Sequence, residues 1–114
     1  MIKCPDEFKS TIVSNLRGGV GDLVRIDIFN EEEMLKKARV CAILTFPAGA
    51  SIGEHPHGPD AEIYYILSGR LRVTDNGITK DLSAGDVVFT GGGNAHSVVN
   101  VSGEEASMLA VVIN

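Results

Sequence analysis

GASIGEHPHGPDAEIYYILSG, residues 49–69, and GDVVFTGGGNAHSVVN, residues 85–100, together carry all three histidines of the chain. His55 and His57 are two apart, Glu62 follows five later, and His96 belongs to a later segment. On an extended strand, residues two apart point to the same face, so His55 and His57 project side by side. Pro56 between them donates no ladder hydrogen bond and stiffens the pair. The turn Gly58-Pro59-Asp60-Ala61 reverses the chain and returns Glu62 beside the histidines at the start of the next strand. His96 must arrive from a different hairpin. Three imidazoles and one carboxylate form a mixed N/O set suited to a first-row transition metal. Four protein ligands leave up to two octahedral positions open, unlike the closed, cysteine-rich tetrahedra of structural zinc. One divalent ion is expected: iron, manganese, nickel or cobalt, with zinc also compatible.

Working outward, strand signals dominate. VRIDIF (24–29) alternates in part, and VCAILTF (40–46) is a nearly continuous apolar run for a core or edge strand. EIYYILSG (62–69), RLRVT (70–74), DVVFT (86–90), HSVVNV (96–101) and SMLAVVI (107–113) continue the series, separated by glycine-rich turns. Asp75-Asn76-Gly77 predicts a two-residue hairpin, because Asn-Gly accepts the positive φ angles of a type I′ turn. One short surface helix is expected at EEEMLKK (31–37), with Asn30 as cap and Glu33 at the capping-box position. About eight short strands with tight turns mean an all-β antiparallel sandwich or barrel, read as a single domain over residues 1–114.

Composition narrows the function. A net charge of −5 and 22% charged residues argue against nucleic acid or an anionic membrane surface as partner. No stretch reaches the roughly 18 apolar residues of a membrane helix. MIKCPDEFKS does not read as a signal peptide, so a cytoplasmic location is expected. Cys4 and Cys41 are then expected as free thiols in a reducing compartment.

The spacing of these residues resembles the two signature motifs of the cupin superfamily, G-x5-H-x-H-x4-E-x6-G and G-x5-P-x-G-x2-H-x3-N. Gly49, His55, His57, Glu62 and Gly69 match the first in full. Gly85, Gly93, His96 and Asn100 match the second, with Gly91 where the family usually has proline. The resemblance implies a small jelly-roll (double-stranded β-helix) barrel with an N-terminal strand or arm over 1–39, and His55, His57, Glu62 and His96 as metal ligands. It also implies a homodimer, as in compact microbial single-domain cupins.

Other residues are read as follows. Tyr64 lies two after Glu62 on the ligand face, a candidate proton-handling or hydrogen-bonding group; Tyr65 points the other way. Arg70 and Arg72 face out if Leu71 and Val73 face the core. Asp60 and Glu54 are expected as solvated turn acids rather than partners of the ligands. Gly91-Gly92-Gly93 is a turn admitting His96, since a phosphate loop would open a helix. An open metal position favours a metal-dependent enzyme on a small oxygenated metabolite, by oxidative cleavage or decarboxylation, with isomerase or lyase chemistry next. The alternative is a binding or sensing module whose metal anchors a ligand without turnover, and a third is a structural dimer stiffened by the site. No cationic residue near the metal can be placed from the sequence.

Overall fold

The computed structural model describes residues 1–114. Ten strands follow in order: Lys9–Ser14 (β1), Asp22–Phe29 (β2), Ala38–Phe46 (β3), Ser51–Pro56 (β4), Ala61–Ser68 (β5), Arg70–Asp75 (β6), Ile78–Ser83 (β7), Val87–Thr90 (β8), Ala95–Val99 (β9) and Ala106–Ile113 (β10). They form a six-stranded sheet, β1-β2-β3-β10-β5-β8, and a four-stranded sheet, β4-β9-β6-β7. Every pairing is antiparallel. The two sheets close on one another as the expected jelly-roll barrel. No helix is long and apolar enough to cross a membrane.

Alternation sorts the side chains. On β3, Ala42, Leu44 and Phe46 point into the barrel and are buried, while Cys41, Ile43 and Thr45 line its outer surface. β3 lies between β2 and β10, so VCAILTF is an interior strand of its sheet rather than an edge. Leu71 and Val73 are buried on β6, which turns Arg70 and Arg72 outward, where Arg72 binds Asp81 at 2.7 Å. Asn76 (φ 49) and Gly77 (φ 77) supply the two positive φ angles of the β6–β7 hairpin.

The expected helix at 31–37 does not form. Its capping box does: Glu33 N donates to Asn30 Oδ1 at 2.8 Å and Asn30 N to Glu33 Oε1 at 2.9 Å. Yet Leu35 already has φ 56, and Leu35 N and Lys36 N bond back to Glu32 O and Glu31 O. Those bonds make a Schellman stop, with Leu35 in the left-handed position glycine usually holds. Start and stop signals therefore sit within one turn, and there is no interior for a helix.

β2 runs against simple patterning. Arg25 lines the cavity side of the sheet, and its neighbour Asp27 lies on the same side. Val24, Ile26 and Ile28 consequently take the outer side.

Candidate metal centre

His55 lies on β4, His57 one residue beyond its end, and His96 on β9, all in the four-stranded sheet; Glu62 and Tyr64 come from β5 in the opposite sheet. A register irregularity between Ile52 and His55 breaks the β4–β9 ladder, which resumes with His55 opposite His96. His57 is held beyond the strand by His57 N to Asn94 O (3.0 Å) and Gly93 N to His57 O (2.8 Å). The glycine turn 91–93 thus does admit His96 and also locks His57. The four expected ligand residues are all buried, and their ligand atoms lie within 4.8 Å of one another.

Each imidazole is oriented from behind through Nδ1. His55 Nδ1 donates to Gly53 O at 2.8 Å, and His57 Nδ1 to Asp60 Oδ1 at 3.0 Å. His96 Nδ1 donates to Thr90 Oγ1 at 2.8 Å, because the Thr90 hydroxyl has given its own proton to Asp75. With each Nδ1 occupied as a donor, every neutral ring turns an Nε2 lone pair inward. Glu62 Oε1 is 3.0 Å from both His57 Nε2 and His96 Nε2, and His96 Nε2 is 3.0 Å from His55 Nε2. Acceptors packed this closely in the interior require positive charge, as protons or as a cation. His55 Nε2 and Glu62 Oε1 stand 3.8 Å apart, so the four acceptors surround one point closely enough for a single cation to be held by all of them.

The same crowding shows in the carboxylate. Burial pushes the Glu62 pKa up, but His55, His96 and His57 around it outweigh burial and bring it down to about 2. Tyr64 is driven the other way: burial, then the Glu62 charge, holds its hydroxyl well above its ordinary pKa of 10. It stays protonated, stacks on the His96 ring at 4.7 Å and donates to His96 Nε2 at 3.1 Å.

Asp60 corrects the expectation of a solvated turn acid. It accepts from His57 Nδ1 and from Arg39 at once, while Glu54 is exposed as expected. Above the cluster opens a cavity of about 240 Å³ whose floor includes His55, His57, Glu62 and Tyr64. Leu44, Ile52, Ala110 and Val112 give it apolar walls, and Arg17, Arg25 and Arg39 give it three cations. These arginines, with Thr90 and Asp75, are the site residues that sequence reasoning missed. The only signal was the Arg25-x-Asp27 pair inside an otherwise apolar strand.

The cupin-domain sequence model matches residues 42–112. A protein of Thermotoga maritima named oxalate-binding protein is 39% identical over 113 residues, covering 99% of this chain and 93% of the relative. The crystal structure of a predicted oxalate decarboxylase from Thermotoga maritima superposes with a TM-score of 0.94 at 39% identity, covering 99% of this chain and 98% of the other. The cupin domain of Cnp3 from Schizosaccharomyces pombe shares the fold at a TM-score of 0.73 and 21% identity, covering 91% of this chain and 68% of the other. The motif residues, the two facing sheets and these likenesses agree: the chain belongs to the cupin superfamily.

Proposed function

We propose that the protein binds one divalent transition-metal ion through the Nε2 atoms of His55, His57 and His96 and through Glu62, and on it a small carboxylate. The carrying observation is the inward cluster of buried acceptors beneath a cavity walled by three arginines. When bound, the ion polarises the ligand's oxygen atoms as a Lewis acid. The chain does the rest. Gly53 O, Asp60 and Thr90 fix the rings, the apolar walls exclude water, and the arginines favour an anion. Once His96 Nε2 is engaged by the metal, the Tyr64 hydroxyl is free to donate to a ligand oxygen. The Thermotoga maritima relative's name points to a ligand of this class.

The first experiment is elemental analysis of protein purified without a metal-affinity tag, beside a His57→Ala variant. The expected result is about one iron, manganese, nickel, cobalt or zinc ion per wild-type chain and none in the variant. A wild-type chain that holds no such metal and takes none up overturns the proposal.

Turnover is the second reading, and the Tyr64 hydroxyl is the observation that favours it. Decarboxylation of a dicarboxylate breaks one carbon–carbon bond, releases carbon dioxide and leaves an electron pair that must take up a proton. Tyr64 is the cavity's candidate donor for that proton. Its raised pKa makes it a weak acid, so ligand capture stands first. Incubating the loaded protein with oxalate and assaying for formate separates the two readings, since capture alone releases none.

A homodimer is proposed through the outer face of the six-stranded sheet. Ile26, Ile43, Leu109, Tyr65 and Val87 lie in register across β2, β3, β10, β5 and β8. Cys41, Val111, Ile63 and Phe89 form the next row. Val87 and Phe89 are 65% and 64% exposed, on a sheet whose outer face would ordinarily be polar. Six strands about 4.8 Å apart make a face roughly 25 Å wide, of the scale of the roughly 800 Å² each partner buries in a stable interface. A two-fold axis through such a face is self-complementary. Light scattering should give a dimer, and Phe89→Lys a monomer; a wild-type monomer at micromolar concentration removes this reading.

A further inference from the structure

Arg17 stands apart from the other two arginines of the cavity wall. Arg25 is held by Asp27 at 2.8 Å, and Arg39 is bound by Asp60. The Arg17 guanidinium makes no hydrogen bond or ion pair with the protein, yet it lines the same cavity as Glu62 and Tyr64. Two of the three cations are therefore neutralised in place, and one is uncommitted.

The loop that carries Arg17 is built onto the metal cluster. Arg17 has φ 54 and ψ 33 and is followed by Gly18 at φ 78, with Asn15 at φ 52 two residues before, so the loop turns through three left-handed residues. An arginine in this conformation is uncommon, and the surroundings must hold it there. Val20 N donates to Ser51 Oγ and Ser51 N to Val20 O, both at 2.8 Å, tying the loop to β4. The approach tolerates no side chain on either strand of contact: a Cβ on Gly53 would lie 2.0 Å from Arg17 O, and one on Gly19 would lie 2.2 Å from Ser51 O. Gly53 is also the residue whose carbonyl orients His55. One glycine thus sets the position of the Arg17 main chain relative to His55.

The charges then specify the occupant. Arg25 with Asp27, and Arg39 with Asp60, cancel. Asp75 lies behind Thr90, outside the cavity lining; of the groups that line it, Glu62 and Arg17 add −1 and +1, so a divalent ion leaves the lining at +2, with its positive charge divided between the floor and the wall. A monoanion satisfies half of that. A dianion with its charges at opposite ends satisfies both. The cavity, about 240 Å³, is of a size for a small ligand.

Building on the metal-anchored carboxylate reading, we propose that Arg17 is the specificity-determining residue, pairing with the distal carboxylate of a small dicarboxylate whose other end sits on the ion. A guanidinium presents two parallel donors to a carboxylate, which a lysine cannot reproduce.

The test is calorimetric titration of metal-loaded wild type, R17Q and R17K with oxalate, malonate and succinate and with their half-amides, with metal content measured on every sample. Wild type should bind one dicarboxylate at least tenfold more tightly than its half-amide. R17Q should lose ten- to hundredfold in dicarboxylate affinity, keep its half-amide affinity and its metal, and so erase the preference; R17K should recover part of it. Equal dicarboxylate affinity in wild type and R17Q overturns the role of Arg17 while leaving the metal-anchored reading intact. An equal loss for both ligand types in R17Q also overturns it, because no second charge is then being read. Loaded wild type that binds no carboxylate overturns the carboxylate reading itself, and this inference with it.

Discussion

His96 and Asn100 are four residues apart on the second motif, both fully buried, and they spend that burial in opposite ways. Asn100 is satisfied on every side. Its Nδ2 donates to Phe46 O, Pro47 O and Glu104 O at 3.1, 3.2 and 2.7 Å, and its Oδ1 accepts from Ser102 N and Ser102 Oγ at 3.0 and 2.7 Å. Its main chain closes Gly49 N to Asn100 O and Asn100 N to Ala50 O, both at 2.9 Å. One residue thereby joins the ends of β3 and β9 and the start of β4 to the turn before β10. His96 is satisfied behind, and in front it has one donor, the Tyr64 hydroxyl, against two acceptors. Thr90 takes its Nδ1 proton, while its Nε2 faces His55 Nε2 and Glu62 Oε1, two further acceptors. Burial, then, does not separate a structural polar residue from a functional one. The count of donors against acceptors does, because a surplus of buried acceptors is a standing demand for a cation.

The contrast breaks most sharply at the cluster. His57→Ala removes one ligand and should lower metal affinity more than 100-fold, beyond the 10–100-fold typical of a lost outer partner. The metal-free variant should melt close to the metal-free wild type, since a crowded acceptor is deleted along with the ring. Inductively coupled plasma mass spectrometry with parallel thermal melts checks both halves. A large loss of metal-free stability would mean that the ring, too, is structural.

Asn100→Ala should do the reverse. Pro47 O keeps Ala50 N and Glu104 O keeps Ser102 Oγ, but Phe46 O and Ser102 N lose the Asn100 side chain, and at roughly 1–3 kcal/mol for each buried unsatisfied group a total of about 3 kcal/mol is expected. At about 4–8 °C per kcal/mol for a domain near this size, the melt should fall by more than 10 °C. The fraction that remains folded should still take up one metal ion per chain. Loss of metal from folded protein would dissolve the distinction.

Asp60→Asn tests the layer between. It keeps the shape and removes the charge that holds the His57 Nδ1 proton, so metal affinity should fall about 10–100-fold, or about 1.4–2.7 kcal/mol. The melting point of the metal-free protein should move much less, because Asp60 is a partly exposed turn residue. Competition against a chelator of known affinity reads the difference.

Asp60 also shows where the sequence stops being legible. The cluster was readable because strand alternation and motif spacing bring His55, His57, Glu62 and His96 together without knowledge of any other segment. The strands around them were readable for the same reason, and Asn76-Gly77 fixed its own hairpin. Asp60 depends on Arg39, which lies 21 positions earlier, and Thr90 depends on Asp75, 15 earlier. No local pattern encodes such pairings. Arg25 was hidden by β2 presenting its polar residues to a cavity and its apolar residues outward, the inverse of the usual assumption for a core strand. The expected helix failed for a related reason: Leu35 contributes a stop that its residue type does not announce.

The smallest effect expected is also the most discriminating. Tyr64 donates to His96 Nε2 at 3.1 Å, and its raised pKa keeps that proton in place. It is the hydroxyl donor facing a cluster of acceptors. Tyr64→Phe preserves the ring stacked on His96 and deletes only the donor. In metal-free protein this leaves one more buried acceptor unpaired, for a loss of about 1 kcal/mol and a melt lower by about 4–8 °C. In loaded protein His96 Nε2 is already engaged by the ion, so the loss at His96 disappears and the melt should move much less. The two states of one variant therefore give different answers if the cluster is an acceptor site completed by a cation. An equal drop in both states would show the hydroxyl to be ordinary packing, and would place His96 on the same footing as Asn100.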